Sequence, residues 1–209
     1  MEAVEAISKI KEKFSSSILK ETFFREEHAL TLTADSLHEV CTFTRESLGF
    51  DYLIDITSVD HFGEDPRYEV VYELYSMASG IHLRLSVTLD EDAPELASIV
   101  DIWPTANWHE REIWDMMGIK FTNHPNLQRI LMWEGYPYHP LRKDFPLEGK
   151  PSEVEGVAFT NKAPLGGGPF VTVPTEGTTV VREPRSRDIS DTMDKTPPVI
   201  PPTDTSLKN

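Results

Sequence analysis

The chain has little cysteine, no long apolar run and no excess of positive charge, and each shortage excludes a class of protein. Its one cysteine, Cys41, excludes an internal disulfide, a four-cysteine zinc site and an iron–sulfur cluster held by this chain alone. No apolar run approaches the about 20 residues that span a bilayer, and the first residues lack the apolar core of a signal peptide. We therefore predict that the chain reaches a membrane only through a partner.

The charge is unevenly distributed. The formal net charge is −15, which argues against a nucleic-acid partner because phosphate binding requires clustered Lys and Arg. Residues 1–110 hold 22 acidic and 8 basic residues, whereas residues 111–209 hold 13 and 12. A charge-mixed half that is rich in Arg and aromatic groups favours a protein interface. Solubility alone is the other explanation of the acidic half.

Hydrophobic periodicity predicts the elements of the first half. Apolar residues at three- and four-residue spacing predict a helix over residues 2–20, and a second helix begins at Asp35 or Ser36 and ends at Gly49. Alternating residues predict a short strand at 28–33, and three β-rich runs follow at 50–59, 68–77 and 81–89. This order predicts an α+β fold with a mixed or antiparallel sheet, helices mainly on one face and an extended C-terminal arm.

A third helical region is predicted from about Pro94. It is interrupted at Trp103–Pro104 and resumes from Asn107 to a C-cap at Gly118. On the resumed helix the predicted packed side holds Trp108, Ile113, Trp114 and Met117. The remaining surface holds Glu110, Arg111, Glu112 and Asp115, where Arg111 and Asp115 stand four residues apart and can pair.

The familiar catalytic motifs are missing from this sequence. It has no GxSxG nucleophile elbow, no Walker loop and no dinucleotide fingerprint. His109–Glu110 resembles the start of a zinc-protease helix, but Ile113 stands where the second histidine would be needed. One candidate metal or acid/base site consists of His124 and His139 with Asp115 or Glu112, but it lacks a spaced third ligand. We predict no catalytic residue, no cofactor site and no metal site in this chain.

The stretch from Glu110 to Pro146 concentrates charged, aromatic and proline residues. A helix opens it, and a segment with prolines at 125, 137, 140 and 146 closes it. Proline restricts its own backbone and that of the residue before it, so this segment is predicted to be extended and fixed in its course. We interpret it as a docking ridge for another protein. A surface loop that lies across its own domain is the alternative.

This stretch resembles a known family. The residues that carry the resemblance are the run EREIWDMMGI at 110–119, Phe121, His124–Pro125, Leu127, the triplet RIL at 129–131 and the run PLRKDFP at 140–146. They are similar to the motif of the thirty-kilodalton subunit (the C subunit) of respiratory complex I, the proton-pumping NADH:quinone oxidoreductase. The resemblance covers about residues 1–150. It departs from the commoner pattern at Met117, Asn126, Gln128 and residues 136–138.

The resemblance implies a non-catalytic core subunit of the hydrophilic arm, with FMN and iron–sulfur clusters in partner subunits and no cofactor in this chain. It implies packing against the forty-nine-kilodalton quinone-site subunit (the D subunit), near the iron–sulfur subunits B and I. The implied location is peripheral, on the cytoplasmic side of the bacterial inner membrane. The residues implied to form motif or subunit-interface contacts are Glu110, Arg111, Glu112, Asp115, His124, Pro125, Arg129, Arg142, Lys143 and Asp144.

Two alternatives to this function stay open. The same type of subunit occurs in membrane-bound hydrogenases and in ferredoxin- or deazaflavin-dependent quinone reductases. A free-standing acidic binding module is the other alternative. The electron donor that the native complex accepts would separate the first alternative, and fractionation with membranes would separate the second.

The C-terminal part has a different composition from the rest. We predict an α+β domain like the thirty-kilodalton subunit of complex I over residues 1–150 and a Pro/Gly-rich extended tail over residues 151–209. The tail holds nine of the 16 prolines and cannot build a core of its own. It also carries apolar residues and Arg182, Arg185 and Arg187, so we predict that residues 157–187 lie as an arm on a partner subunit. Simple disorder is the alternative.

Overall fold

The computed structural model describes residues 3–25, 27–133 and 135–146. All of these except Phe145 and Pro146 belong to the unit Met1–Asp144, to which the following description applies. The predicted tail at 151–209, with its docking arm, lies outside the described residues. Among the described residues, no helix has the length and the apolar composition of a membrane-spanning segment.

The described unit contains helices and strands in mixed order. The helices are α1 (Ala3–Phe14), α2 (Leu37–Leu48) and α3 (Ala106–Met117). The strands are β1 (Ile18–Phe24), β2 (Glu27–Leu32), β3 (Tyr52–Asp60), β4 (Tyr68–Ser76), β5 (Ile81–Leu89), β6 (Glu95–Ala97) and β7 (Lys120–Thr122). Single turns of 3-10 helix precede β1 and α2. Gly49 and Gly118 end α2 and α3 in the left-handed conformation, each with φ of 76°, as predicted.

The main sheet has five strands in the order β1-β2-β5-β4-β3. β2 and β5 are parallel, and the other three pairs are antiparallel. The register places Ile56, Tyr72, Leu85 and Leu30 side by side across the sheet, all of them buried. Their side of the sheet carries all three helices, whose buried residues join the same core. The predicted α+β class, mixed sheet and single helical face are confirmed.

The first predicted helix is too long at its C-terminal end. α1 stops at Phe14, and Ser15–Ser17 make a 3-10 turn instead, because serine side chains compete for backbone hydrogen bonds and so disfavour a helix interior. The next seven residues are β1, which the sequence analysis missed. Apart from Ile18 the strand is exposed on both of its faces, so it lacks the alternation that identifies a half-buried strand.

The first part of the predicted helical region, from Pro94 to the break at Trp103–Pro104, is wrong, whereas the part that resumes at Asn107 is confirmed by α3. Residues 95–97 are instead β6, which pairs in parallel with β7, with Glu95 opposite Lys120. This pairing joins residues 25 positions apart, so no local pattern reveals it. The predicted faces of α3 also need correction, since Trp108 is 60% exposed whereas Glu110 and Asp115 are fully buried.

Candidate functional site

Helix α3 directs two carboxylate side chains into the interior of the protein. Its sequence has neither Gly nor Pro between its ends, and its apolar residues Ile113, Met116 and Met117 are buried. Glu110 and Asp115 lie on the same helix and share this burial. A buried carboxylate is costly unless hydrogen bonds satisfy it, so the partners of these two groups define what the site does.

Asp115 holds the segment that follows β7. Its Oδ2 accepts backbone N–H bonds from Ile130 at 3.0 Å and from Leu131 and Met132 at 2.8 Å each. Its Oδ1 accepts a charge-assisted bond from Arg129 Nη1. One carboxylate therefore fixes four consecutive residues against α3.

The ionisation of Asp115 follows from these donors. Burial by itself raises the pKa of a carboxyl, but the three backbone N–H bonds and Arg129 outweigh it and hold the pKa of Asp115 below its usual value. The Arg129 guanidinium also lies over the rings of Trp114 and Tyr136, 5.5 and 5.7 Å from their centroids. The predicted Arg111–Asp115 pair does not form, because Asp115 is turned inward to Arg129.

Glu110 has fewer donors than Asp115. Its Oε2 accepts a bond from Ser98 Oγ at 2.6 Å, and its Oε1 accepts the Ile99 backbone N–H at 2.8 Å. Burial dominates over these two bonds and raises the pKa of Glu110 to about 7. The carboxyl thus ties α3 to the turn after β6 and titrates near neutral pH.

His124 lies next to Glu110, and its hydrogen bonds match those of an uncharged imidazole ring. Its Nε2 donates to the Asn107 carbonyl at 3.3 Å, and its Nδ1 accepts the Asn126 N–H at 3.0 Å. Glu110 Oε2 is 3.9 Å from His124 Nε2. Burial lowers the pKa of His124, so the ring favours the uncharged form. The neighbouring Pro125 is exposed.

The residues before Asp144 return to the end of α3. His139 Nδ1 donates to the Asp115 carbonyl at 3.0 Å, and the Leu141 N–H donates to the Met116 carbonyl at 3.1 Å. Arg142 Nε donates to the Met117 carbonyl at 2.6 Å. These bonds satisfy carbonyls that a helix C-terminus leaves without partners. Gly118 makes the approach possible, because a Cβ there would lie 2.7 Å from the His139 ring and clash with Arg142.

The remaining motif residues differ in their surroundings. Arg111 donates to the carbonyls of Gln128 and Arg129 at 3.0 and 3.3 Å, so it supports the same segment as Asp115. Glu112 and Lys143 are exposed, and among the described residues neither side chain has an ion-pair partner. Their assignment to contacts with other subunits stays a prediction.

Arg67 forms a network that sequence reasoning missed. It is 3% exposed and makes a two-point contact with Asp60, at 2.8 and 2.9 Å. It also donates to Glu91 and Asp144, each at 2.5 Å, while Asp60 Oδ2 accepts the Lys143 N–H at 2.7 Å. The hydrogen bond to Arg67 is the main reason that the pKa values of Asp60 and Asp144 lie below their usual range. The sequence feature that could have revealed this network is Asp60, an aspartate on the inward face of a strand.

The two histidines considered for a metal site are not brought together. His124 donates to the Asn107 carbonyl, and His139 donates to the carbonyl of Asp115. Within residues 3–25, 27–133 and 135–146, no group of three or more His, Cys, Asp or Glu side chains is arranged to hold a metal ion. Burial also lowers the pKa of His139. Both rings serve the internal bonding of the motif.

A cleft of about 350 Å³ lies between β3 and α3. One side is formed by residues 55–60, and the other contains Ile113, Met116 and Met117. Glu112, Leu141 and Lys143 complete its lining. The cleft therefore combines a strand edge, apolar side chains and two exposed charges.

The comparisons with known proteins agree with this motif. The family model described as "Respiratory-chain NADH dehydrogenase, 30 Kd subunit" matches residues 30–151. A protein of Geotalea uraniireducens, named as the C subunit of NADH-quinone oxidoreductase, is 43% identical over 148 residues, which are 71% of this chain and 90% of that protein. A protein of Rhizobium meliloti, named as C subunit 2 of NADH-quinone oxidoreductase, is 44% identical over 67% of this chain and 84% of that protein.

Two solved structures are similar in fold. A trypsin-resistant fragment of Nqo5 has a TM-score of 0.53 at 26% identity and covers 61% of this chain and all of the fragment. A chain from a membrane-bound sulfane sulfur reductase, an archaeal respiratory membrane complex, has a TM-score of 0.60 at 25% identity and covers 69% of this chain and 85% of that chain. The residues that the family model matches include the whole stretch that Asp115 and Arg67 organise. The chain belongs to the family of the thirty-kilodalton subunit of respiratory-chain NADH dehydrogenase.

Proposed function

We propose that the chain is a non-catalytic core subunit of the hydrophilic arm of a proton-translocating NADH:quinone oxidoreductase. Its role is to scaffold the quinone-site and iron–sulfur subunits. The proposal places it on the cytoplasmic side of the bacterial inner membrane as a peripheral subunit. FMN and the iron–sulfur clusters belong to partner subunits in this proposal, and the chain contributes to the enzyme through assembly.

The observation that carries this proposal is the use of the motif's buried charges. Asp115 accepts hydrogen bonds from four donors in residues 129–132, and the buried Arg67, outside the motif, donates to Asp144 within it. A catalytic group must reach a substrate with part of its hydrogen-bonding capacity, whereas these groups bond to the chain's own backbone and side chains. These bonds hold a surface segment in one conformation. A surface that is already ordered lowers the entropy cost of binding a partner.

The proposed partners are the forty-nine-kilodalton quinone-site subunit (the D subunit) and the iron–sulfur subunits B and I. The relatives support this because they are named as subunits of NADH-quinone oxidoreductase. The proposal includes the tail at 151–209 as an arm that docks on a partner subunit, since its apolar residues and three arginines occur among many prolines. The proposal includes no nucleic-acid partner because the chain carries a net charge of −15.

A second candidate function is the same scaffold role in a different respiratory membrane complex. The observation that favours it is the similarity to a chain of the membrane-bound sulfane sulfur reductase. Membrane-bound hydrogenases and ferredoxin- or deazaflavin-dependent quinone reductases belong to the same candidate class. In this case the scaffold is unchanged and the electron donor differs.

Isolation of the chain from native membranes in mild detergent tests these proposals. A large assembly with flavin and iron–sulfur absorption and NADH:quinone reductase activity is the expected result. An assembly with iron–sulfur absorption but without flavin or NADH activity would favour the second candidate. A lone 23.7 kDa species would contradict both.

A further inference from the structure

Strand β3 is an edge strand, and its residues 55–60 lack the usual protection. It forms one end of the five-stranded sheet, and among the described residues no other strand pairs with it on the side away from β4. Natural edge strands are commonly blocked by Pro, Lys or a bulge, because their free N–H and C=O groups attract other strands. β3 has neither Pro nor Lys, and its one irregularity lies between Leu53 and Asp55. Within the part of the chain that the structure describes, residues 55–60 are therefore a regular, unpaired edge.

The surroundings of this edge favour a bound chain over bulk water. The cleft beside it is lined by Ile113, Met116 and Leu141, and the Leu141 side chain is itself exposed. On β3, the large apolar side chains of Ile54 and Val59 are also exposed. Exposed apolar surface around a recess is typical of an interaction site.

The charges give the cleft two different ends. His109 Nδ1 lies 3.1 Å from Asp55, so the early part of α3 lies at the Asp55 end of the strand. Glu112 follows His109 by one helical turn, whereas the Lys143 backbone bonds to Asp60 at the other end. The cleft thus presents a carboxylate toward one end and an ammonium group at the other.

We propose that the β3 edge and the cleft between β3 and α3 bind an extended segment of a partner subunit, which adds a strand to the sheet. Only an extended backbone matches the spacing of the free N–H and C=O groups along a strand edge. The segment has an apolar side chain that enters the cleft beside Met116, with a Lys or Arg opposite Glu112 and an Asp or Glu opposite Lys143. This inference rests on the proposed role of the chain as a subunit of a complex.

Cysteine labelling tests where the segment binds. Cys41 is fully buried, so Thr57→Cys places a single accessible thiol on the β3 edge, and Thr22→Cys places a matched one on β1. The probe is a maleimide applied to the isolated full chain and to the complex in membranes. We expect the complex to slow labelling of Thr57→Cys at least tenfold while Thr22→Cys reacts equally in both. Equal labelling of Thr57→Cys in the two preparations would overturn the proposal.

Cross-linking and hydrogen exchange identify the occupant. A benzophenone maleimide on Thr57→Cys should capture a partner subunit at a segment with alternating apolar residues next to a Lys or Arg. Capture of a second copy of this chain, or of the chain itself, would overturn the proposal. Backbone amides of residues 55–60 should exchange more slowly in the complex, and unchanged exchange would also overturn it.

A charge reversal tests the predicted complementarity. Glu112→Lys should lower the yield of assembled complex at least threefold, whereas Glu46→Lys, another exposed glutamate on a helix, should leave it unchanged. Equal yields would overturn the role of Glu112 in the proposal. If the unmodified chain is absent from membrane assemblies, the proposed function itself fails. If it assembles but Thr57→Cys stays reactive, only this inference fails.

Discussion

Glu110 and Asp115 share a helix, a core and complete burial, but they differ in their donors. Asp115 accepts three backbone N–H groups and one guanidinium, and its pKa falls below the usual value. Glu110 accepts one hydroxyl and one backbone N–H, and its pKa rises to about 7. The number and charge of the donors therefore decide which buried carboxylate stays ionised.

The difference also separates the structural roles of the two ends of α3. At the C-terminal end, the ionised Asp115 and the cation Arg129 fix the segment that follows β7. At the N-terminal end, Glu110 joins the helix to the turn after β6 through only two bonds. We expect the contacts at the C-terminal end to keep their stability at any pH above the acid range. The stability of the contacts at the N-terminal end should change with pH near neutrality.

The largest effect is expected from Asp115→Ala. The change leaves Arg129, which is 12% exposed at its side chain, and three backbone N–H groups without their acceptor. Removal of one partner of a buried pair costs about 3–5 kcal/mol, and we expect a loss of this size in the free energy of unfolding. Urea denaturation at neutral pH measures it. Glu112→Ala, an exposed change on the same helix, should stay within about 0.5 kcal/mol, and equal losses would contradict the anchoring role of Asp115.

The pH dependence of stability should be opposite in sign for the two carboxylates. The pKa of Glu110 is raised from 4.5 to about 7, so within this window the folded protein keeps a proton that the unfolded chain releases. The contribution of Glu110 to stability is therefore lost as pH rises through the window, by about 3 kcal/mol in total. Asp115, with its lowered pKa, contributes stability that is present above its unfolded pKa and is lost as pH falls through its folded pKa.

Glu110→Gln isolates the first of these effects. Gln keeps the shape of the side chain but cannot ionise, so the decline between about pH 5 and about pH 8 should be smaller in the variant than in the parent chain. Urea denaturation of both proteins across this range gives the difference, in which the contributions of unaffected groups cancel. A difference between the two proteins that does not change with pH would show that Glu110 is not the titrating group. Asp101, whose charge acts on Glu110, and the neighbouring His124 are unchanged in both proteins.

The two C-cap glycines separate backbone strain from close packing at the C-terminal end of α3. Gly49 and Gly118 have the same φ of 76°, but a Cβ at Gly49 meets nothing within 4 Å, whereas one at Gly118 meets His139 and Arg142. Alanine should cost about 1–2 kcal/mol of unfolding free energy at either position because of the left-handed conformation. At Gly118 the displaced side chains should add about 1–3 kcal/mol. Thermal or urea unfolding compares the variants. Equal losses would mean that the segment before Asp144 can move away from the added Cβ without a loss of unfolding free energy.

The sequence predicted those features that depend on neighbouring residues. The cap at Gly118 follows from a glycine after an amphipathic run, and β4 and β5 follow from alternation. The partner of Asp115 could not be predicted in this way. Arg111 is the local candidate on the helix surface, but Arg129 reaches Asp115 because of the course of the chain between them. The same limit hid the β6–β7 pairing and the contact of Arg67 with Asp144.

The smallest effect is expected from Ser98→Ala, and its pH dependence is the informative part. Ser98 donates to Glu110 at 2.6 Å, and a bond to a charged acceptor contributes about 1.5–3 kcal/mol, compared with about 1 kcal/mol for a neutral one. The loss in unfolding free energy should therefore be larger at about pH 8, where Glu110 is ionised, than at about pH 5. Ser86→Ala is the matched control, because buried Ser86 donates to the neutral hydroxyl of Thr31 and should lose about 1 kcal/mol at both values. Urea denaturation of the two variants at both pH values provides the test. If Ser98→Ala behaves like Ser86→Ala, Glu110 keeps its proton at both pH values, and the contrast with Asp115 is then one between a neutral and an ionised acid throughout.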